Sequence, residues 1–201
     1  MSVLFQHYLP PGPPMLPLVS GRFYASAHAR AVGAGAAVTA NRLYAVPYLL
    51  PRPGRFDAMA ISITGASAGL LRMALAQDDG TGRPGYVLEE PVVDVDTAAA
   101  GTALCPFATA RWIAPGVWWV LLCFSGTPTV RGTSSQAYSG GNTLLLGSPI
   151  GDGGAGGGGG AENGFMTTLT YQAGEPFLPS PPTGLSYLGS AFAPVPSLRA
   201  A

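Results

Sequence analysis

The sequence predicts an all-β protein built as an antiparallel, jelly-roll-like β-sandwich, and three observations lead to this fold class. About eight to ten short segments of strand length follow one another between turns rich in glycine and proline. No window shows the apolar period of a convincing amphipathic helix. The segment 117–124 is apolar at every position, which is typical of a strand buried on both faces.

This apolar segment is the centre around which the rest of the chain is organised. All three tryptophans lie in or just before it, at positions 112, 118 and 119. In an extended strand, alternate residues share a face: Val117, Trp119, Leu121 and Cys123 on one side, and Trp118, Val120, Leu122 and Phe124 on the other. The segment is too short to cross a membrane as a helix. We therefore expect a central strand that lies between two sheets, or between a sheet and a partner subunit.

The remaining strands are predicted from alternation and from turn residues. They span residues 22–28, 42–50, 56–64, 70–76, 86–88, 91–95, 102–113, 142–146 and 165–171. The clearest alternation places Met59, Ile61 and Ile63 on one face of their strand. Val93 and Val95 are expected to face inward, with Asp94 and Asp96 facing solvent. A polar turn at 78–85 and a flexible glycine-rich loop at 151–160 connect strands.

Both ends of the chain are rich in proline and also apolar. Residues 1–21 are predicted to form an extended arm, because proline fixes φ and cannot join the interior of a sheet, and the apolar residues among the prolines favour docking on another surface. A disordered leader is the competing interpretation. Its candidate docking residues are Phe5, Tyr8, Leu9, Met15 and Leu16. The sandwich is assigned to residues 22–175. Residues 176–201 are predicted to form an extended tail that packs on the sandwich or on a neighbouring subunit.

The charge content restricts the classes of partner. Charged residues make up 10% of the chain, the net charge is zero, and every one of the ten basic residues is arginine. This balance implies no nucleic-acid partner. A surface with so little charge favours a protein whose surface is partly covered in an assembly.

The N-terminal residues lack the pattern of a signal peptide, and no segment is predicted to insert in a membrane. Cys105 and Cys123 are expected to be buried free thiols rather than a disulfide.

Few residues carry the chemistry of a catalytic, cofactor or metal site. The glycine run lacks the lysine and the helix that a phosphate-binding loop needs, and two histidines are too few for a zinc site. Asp78 and Asp79 lack the spacing of a calcium loop, so a solvated turn is favoured. Glu89 and Glu90 are adjacent on a strand and should point to opposite faces, which makes them poor partners for sugar hydrolysis. The sequence therefore predicts no catalytic residues, no cofactor and no metal.

Exposed aromatic residues are the remaining candidates for a ligand site. Rings on loops and strand edges can stack on sugars, and Tyr86, Trp112 and Tyr138 are the candidates here. For each of them, packing in the core is the competing interpretation.

The order of segments resembles a β-sandwich domain of virion proteins from tailed phages and gene transfer agents, found in tail fibres, head fibres and spikes. Four segments carry the resemblance over about residues 22–175: Asn-Arg-Leu-Tyr-Ala-Val-Pro-Tyr at 41–48, Arg-Phe-Asp-Ala-Met-Ala-Ile at 55–61, Leu-Arg-Met-Ala-Leu at 71–75 followed by the turn 79–85, and Ala-Pro-Gly-Val-Trp-Trp at 114–119. None is a catalytic signature. The glycine insertion and both proline-rich ends depart from the pattern.

The resemblance implies a structural virion protein, often a homotrimer, that displays its sandwich to bind a glycan or receptor on the host surface. It would assemble in the bacterial cytoplasm, with the N-terminal arm docked into the capsid or tail as an extended peptide. A capsid or tail decoration protein that binds only other virion proteins is the alternative. A glycan-active enzyme is the third possibility.

Overall fold

The computed structural model describes residues 17–26, 35–91, 93–133, 165–173, 182–187 and 192–201. These residues form fifteen strands: β1 (Phe23–Ala25), β2 (Ala36–Ala37), β3 (Arg42–Leu50), β4 (Gly54–Gly65), β5 (Leu70–Asp78), β6 (Pro84–Glu89), β7 (Val95–Asp96), β8 (Gly101–Ile113), β9 (Gly116–Phe124), β10 (Thr129–Val130), β11 (Gly132–Thr133), β12 (Phe165–Thr168), β13 (Ser186–Tyr187), β14 (Ala193–Pro194) and β15 (Ser197–Ala200). The predicted all-β class is confirmed. In this part of the chain no helix is long and apolar enough to cross a membrane.

The strands form two main antiparallel sheets. Sheet 1 has the order β1-β15-β4-β10-β2, with β8 paired along β4. Sheet 2 has the order β13-β12-β3-β9-β5-β6, with β7 paired to the start of β5. A short pair, β11 with β14, forms a separate two-stranded sheet. The chain changes sheet repeatedly, for example between β3 and β4, between β4 and β5, between β7 and β8 and between β8 and β9, as expected for a sandwich.

The core lies between the two sheets and follows the predicted alternation. Fully buried side chains from both sheets form one cluster, including Phe56, Met59, Ile61 and Cys105 from sheet 1 and Tyr48, Leu71, Met73, Leu75, Val120, Leu122 and Phe124 from sheet 2. Each large apolar side chain removed from water contributes about 1.5–3 kcal/mol to folding. The strands that the sequence predicted most clearly therefore supply most of the core.

The central strand β9 is buried on both faces, as predicted. It pairs with β3 on one side and β5 on the other. Its inner face joins the core between the sheets, whereas Trp119, Leu121 and Cys123 on its outer face form a second buried cluster. Val87, Leu169, Tyr171 and Leu185 pack against this second cluster. The outer face of sheet 2 is thus covered in part by segments of the same chain, and one of them, carrying Leu185, belongs to the tail that was expected to pack on the sandwich or on a neighbouring subunit.

One predicted orientation is wrong. Val93 was expected to face inward, but it is 66% exposed, while the neighbouring Asp94 has a side chain only 9% exposed. The Asp94 side chain turns away from solvent because it binds Arg72 on the outer-cluster face of β5, where a charged group removed from water needs an anionic partner. The charge pairing outweighs the burial of one valine, and Val93 is left at the surface.

The chain ends are joined to the sandwich where they are described. The last strand, β15, lies within sheet 1 between β1 and β4, so the end of the segment assigned to a C-terminal tail is part of the sandwich. Leu198 and Ala200 are buried and alternate with half-buried Ser197 and Arg199, the pattern of an ordinary strand. Leu18, near the end of the predicted N-terminal arm, packs against the core. The arm residues 1–16, the predicted strand at 142–146 and the glycine-rich loop lie outside the described residues.

Candidate functional site

Two strands border the sandwich on one side. In the described part of the chain, β6 pairs only with β5 in sheet 2, and β8 pairs only with β4 in sheet 1. The neighbouring strands β7 and β5 both contact β8, so the two sheets approach each other at this border. Four large apolar side chains are exposed here: Tyr86 and Leu88 on β6, Val93 in the following loop, and Trp112 on β8. We refer to these four residues as the edge patch.

Local pairing explains why Trp112 is exposed. Trp112 lies opposite Arg55 on β4, and its two chain neighbours lie opposite Phe56 and Gly54, which are buried. Because cross-strand partners share a face, Ile113 and Phe56 point into the core and Trp112 points outward beside Arg55. The ring is 70% exposed. Its exposure therefore follows from the register between β8 and β4.

Tyr86 is exposed for a different reason. The pairing of β5 with β6 shifts register twice, between Leu75 and Ala76 and again between Ala76 and Asp78. Such irregularities bend an edge strand and redirect its side chains. Pro84 and Gly85 are buried, and Tyr86, the next residue, is 70% exposed. The sequence correctly singled out Tyr86 and Trp112 as candidate surface rings, while their role in binding stays a prediction.

An ion pair joins the two border strands beneath the patch. The Nε of Arg111 on β8 donates a hydrogen bond to Oε2 of Glu89 on β6 at 2.7 Å. Glu89 lies opposite Leu75 and Arg111 opposite Phe56, and both of these partners belong to the core, so the pair bridges the inner sides of the two sheets. The Glu89 side chain is 5% exposed and that of Arg111 is 54% exposed. The pair holds the segments carrying Tyr86 and Trp112 together.

The other carboxylates of this region bind a different arginine. Arg72 donates two hydrogen bonds to Asp94 and lies 3.9 Å from a Glu90 oxygen. The Tyr171 ring lies 5.7 Å from the Arg72 guanidinium, in the geometry of a cation–π contact. Although burial alone would lower the pKa of Arg72, the hydrogen bond and charge of Asp94 raise it. Burial raises the pKa of Tyr171, and Asp94 raises it further.

Glu89 and Glu90 therefore bind arginines on opposite faces of sheet 2, as their adjacency on the strand predicted. Arg72 lies opposite Cys123, whose side chain belongs to the outer cluster, whereas Glu89 lies opposite Leu75 in the core. The two carboxyl groups are directed apart: Glu89 binds Arg111, whereas Glu90 shares Arg72 with Asp94. This arrangement favours a structural role for both.

The Asp78–Asp79 turn is held by its own hydrogen bonds. Asp78 accepts bonds from the amides of Gly80 and Gly82 and from the Trp119 indole N–H. Asp79 accepts from the hydroxyl and amide of Thr81, which lower the pKa of its carboxyl. These contacts fit the turn that the sequence favoured over a calcium loop. Within the described residues no group of His, Cys, Asp or Glu is arranged to hold a metal ion.

Several predicted residues cannot be placed. Tyr138 and the arm residues Phe5, Tyr8, Leu9, Met15 and Leu16 lie outside the described part of the chain. The cysteines can be placed: Cys105 and Cys123 are both buried and free, as expected.

Arg55, Leu88 and the Arg111–Glu89 pair were not among the site residues predicted from the sequence. Arg111 and Glu89 are far apart along the chain and meet only because β6 and β8 both lie at the border. Arg72 did carry a signal, because a charged residue among the buried residues 71–76 requires a buried partner.

The sequence matches no protein-family model and no curated protein. Among solved structures, the fold is similar to a crystal structure of the cysteine protease and lectin-like domains of Cwp84, a surface layer associated protein of Clostridium difficile. The sequence identity is 9%, the TM-score is 0.40, and the match covers 80% of this chain but 33% of that one. The chain thus spans about a third of the length of that structure, and this distant likeness carries no argument about activity.

Proposed function

We propose that this protein is a structural component of a phage or phage-like particle whose sandwich attaches to a glycan on the host surface. The virion role rests on the four sequence segments that resemble phage and gene-transfer-agent proteins. The attachment role rests on the exposed rings of the edge patch. Homotrimerisation would strengthen weak sugar contacts, because linked sites bind a polymer at high effective concentration.

The observation that carries the attachment role is that Trp112 and Tyr86 are exposed rings on strands paired within the two sheets. Each ring is 70% exposed, yet each stands on a strand fixed to the core, and the Arg111–Glu89 pair ties the two strands together. Because the backbone that carries each ring is already ordered, little backbone freedom is lost when the ring stacks on a sugar.

The alternative, a decoration protein that binds only other virion proteins, is supported by Leu88 and Val93. These aliphatic side chains are 43% and 66% exposed and lie on the same border of the sandwich. Aliphatic groups beside aromatic ones suit a protein interface as well as they suit a sugar. Trp112 and Tyr86 would then be anchors for a protein partner.

A glycan-binding experiment distinguishes the attachment role from the decoration role. The purified full-length protein is tested on an array of bacterial capsular and lipopolysaccharide glycans, followed by titration of any glycan bound. We expect binding, and an affinity about 3- to 10-fold weaker in Trp112→Ala and in Tyr86→Ala, since one aromatic contact contributes about 0.5–1.5 kcal/mol. Phe23→Ala is the matched control, because Phe23 is an exposed ring on β1, away from the border.

Two results would reject attachment through the patch. One is absence of binding by the unaltered protein to every glycan, combined with normal incorporation into particles, which supports the decoration role. The other is equal affinity for all three variants, which places any glycan contact elsewhere. Hydrolysis of a bound glycan would instead indicate an enzyme.

A further inference from the structure

The chemical character of the ligand can be inferred from the residues that flank Trp112. Arg55 lies directly opposite Trp112 on β4 and shares its face of sheet 1. Arg55 is exposed, and among the described residues it forms no ion pair. The exposed indole therefore has an arginine beside it whose charge is not neutralised within this part of the protein.

A second guanidinium lies next to Trp112 along the chain. The hydrogen bond from Arg111 to Glu89 uses Nε, and the Arg111 side chain remains 54% exposed. Because a guanidinium has five donor hydrogens, donors of Arg111 are left directed toward solvent. The Glu89 carboxylate is 5% exposed and already bound, so it offers little repulsion to an approaching anion.

Neutral sugars do not require this arrangement. Stacking on the indole accounts for a contact with the apolar face of a sugar ring, and hydrogen bonds from an arginine to neutral hydroxyls leave the charge of the guanidinium uncompensated. A carboxylate on the sugar would accept the planar pair of donors that a guanidinium presents, and such charge-assisted bonds are stronger than neutral ones. The combination of ring and free guanidinium fits a sugar that carries a carboxylate.

We propose that the surface around Trp112 binds a polysaccharide containing uronic acids, with the sugar ring stacked on Trp112 and its carboxylate bound by Arg55. This inference rests on the glycan attachment proposed above. Arg111 lies on the opposite face of β8 from Trp112, so it has only a positioning role: its ion pair with Glu89 fixes β8 against β6.

The test uses uronic-acid polymers and the same polymers after reduction of the carboxyl groups to alcohols. Polygalacturonate, alginate and hyaluronan are the probes, and binding to the full-length protein is measured by calorimetry at two salt concentrations. We expect at least one polymer to bind about tenfold more weakly after carboxyl reduction. Binding should also weaken as salt rises, because the contact is exposed.

Variants assign this preference to a residue. Arg55→Gln should bind the charged and reduced polymers equally, whereas Trp112→Ala should lose affinity for both. Arg131→Gln is the matched control, because Arg131 is an exposed arginine between β10 and β11 and should keep the preference. Since Arg55 is exposed and unpaired here, its replacement should leave the unfolding midpoint unchanged.

The failures are distinguishable. If neutral glycans bind through Trp112 and carboxyl reduction has no effect, the inference about charge is overturned while attachment stands. If Arg55→Gln retains the preference for polymers with carboxylates, Arg55 is not the residue that binds the carboxylates. If no charged or neutral glycan binds, both proposals fail together.

Discussion

The guanidinium of Arg72 donates two parallel hydrogen bonds to the carboxylate of Asp94, from Nε to Oδ1 at 2.8 Å and from Nη2 to Oδ2 at 3.0 Å. Both side chains are 9% exposed. The pair joins β5 to the segment before β7. Arg199 and Asp57 form a second pair of nearly the same geometry, at 2.7 and 3.0 Å, but their side chains are 28% and 32% exposed. The two pairs thus share a geometry but differ in burial, and Arg72 also contacts Glu90 and the Tyr171 ring.

Removing one partner of the buried pair should be far more costly than removing one partner of the exposed pair. Arg72→Met leaves Asp94 with an uncompensated charge in a region closed to water, and we expect a loss of about 3–5 kcal/mol in the free energy of unfolding. Arg199→Met is the control and should lose about 0–1 kcal/mol. Urea unfolding measures both. Equal losses would show that water reaches the Arg72 pair.

Much of the fold could be predicted because alternating apolar and polar residues indicate a strand with one buried face. The strands β4 and β5 alternate in sequence and in burial, and β9 is apolar throughout because both of its faces are covered. The strand β15 was missed because the prolines around it indicated an extended tail. Its pairing with β1 and β4 depends on residues more than a hundred positions away.

The candidate site could be predicted only in part. An exposed aromatic and a buried one have the same local sequence pattern, and the outcome depends on whether the strand lies at a border of its sheet. Trp112 and Trp119 illustrate this: Trp112 is 70% exposed and Trp119 is fully buried, although both were assigned to strands. The sequence placed Tyr86 and Trp112 among the candidates but could not reveal that Glu89 and Arg111 join their strands.

The Asp78–Asp79 turn should stabilise the fold without binding calcium. Asp78→Asn replaces one carboxylate oxygen with a donor, so either the turn amides or the Trp119 indole loses an acceptor, and we expect a loss of about 1–3 kcal/mol. Asp96→Asn is the control, because Asp96 accepts one amide bond in an exposed turn and asparagine preserves it. Thermal unfolding measures both variants. A rise in the melting temperature on addition of millimolar calcium would contradict this interpretation and restore the metal site.

Asn41 should hold the segment that covers Cys123. It adopts a left-handed backbone with φ of 56°, its Oδ1 accepts from the Tyr171 amide at 2.9 Å, and its carbonyl accepts from the Leu169 amide at 3.0 Å. We expect Asn41→Ala to lose about 2 kcal/mol, because both the conformation and a hydrogen bond become unfavourable. Asn41→Gly should lose about half as much, since glycine accepts the conformation. Amide exchange at Leu169 and Tyr171 should accelerate in both. Unchanged exchange would mean that the segment is held by other contacts.

The two buried thiols should make the protein less stable in alkaline solution. Burial raises the pKa of Cys105 to about 12 and that of Cys123 to about 11, from an ordinary value of 9.0. Well below pH 9 both thiols are protonated in the folded and unfolded states, so their contribution to stability is constant. Above pH 9 only the unfolded chain releases these protons, and the free energy of unfolding should fall with pH until the folded thiols ionise near 11 and 12. Each thiol contributes about 1.4 kcal/mol per pH unit to this fall. Urea unfolding between pH 8 and 10.5 measures the slope of the free energy of unfolding against pH. Cys105→Ala should make this slope shallower by the contribution of one thiol. Other groups, such as Tyr48, titrate alike in the variant and in the unaltered protein and do not affect the comparison. An unchanged slope in this variant would mean that Cys105 ionises equally readily in the folded protein, and hence that water reaches it.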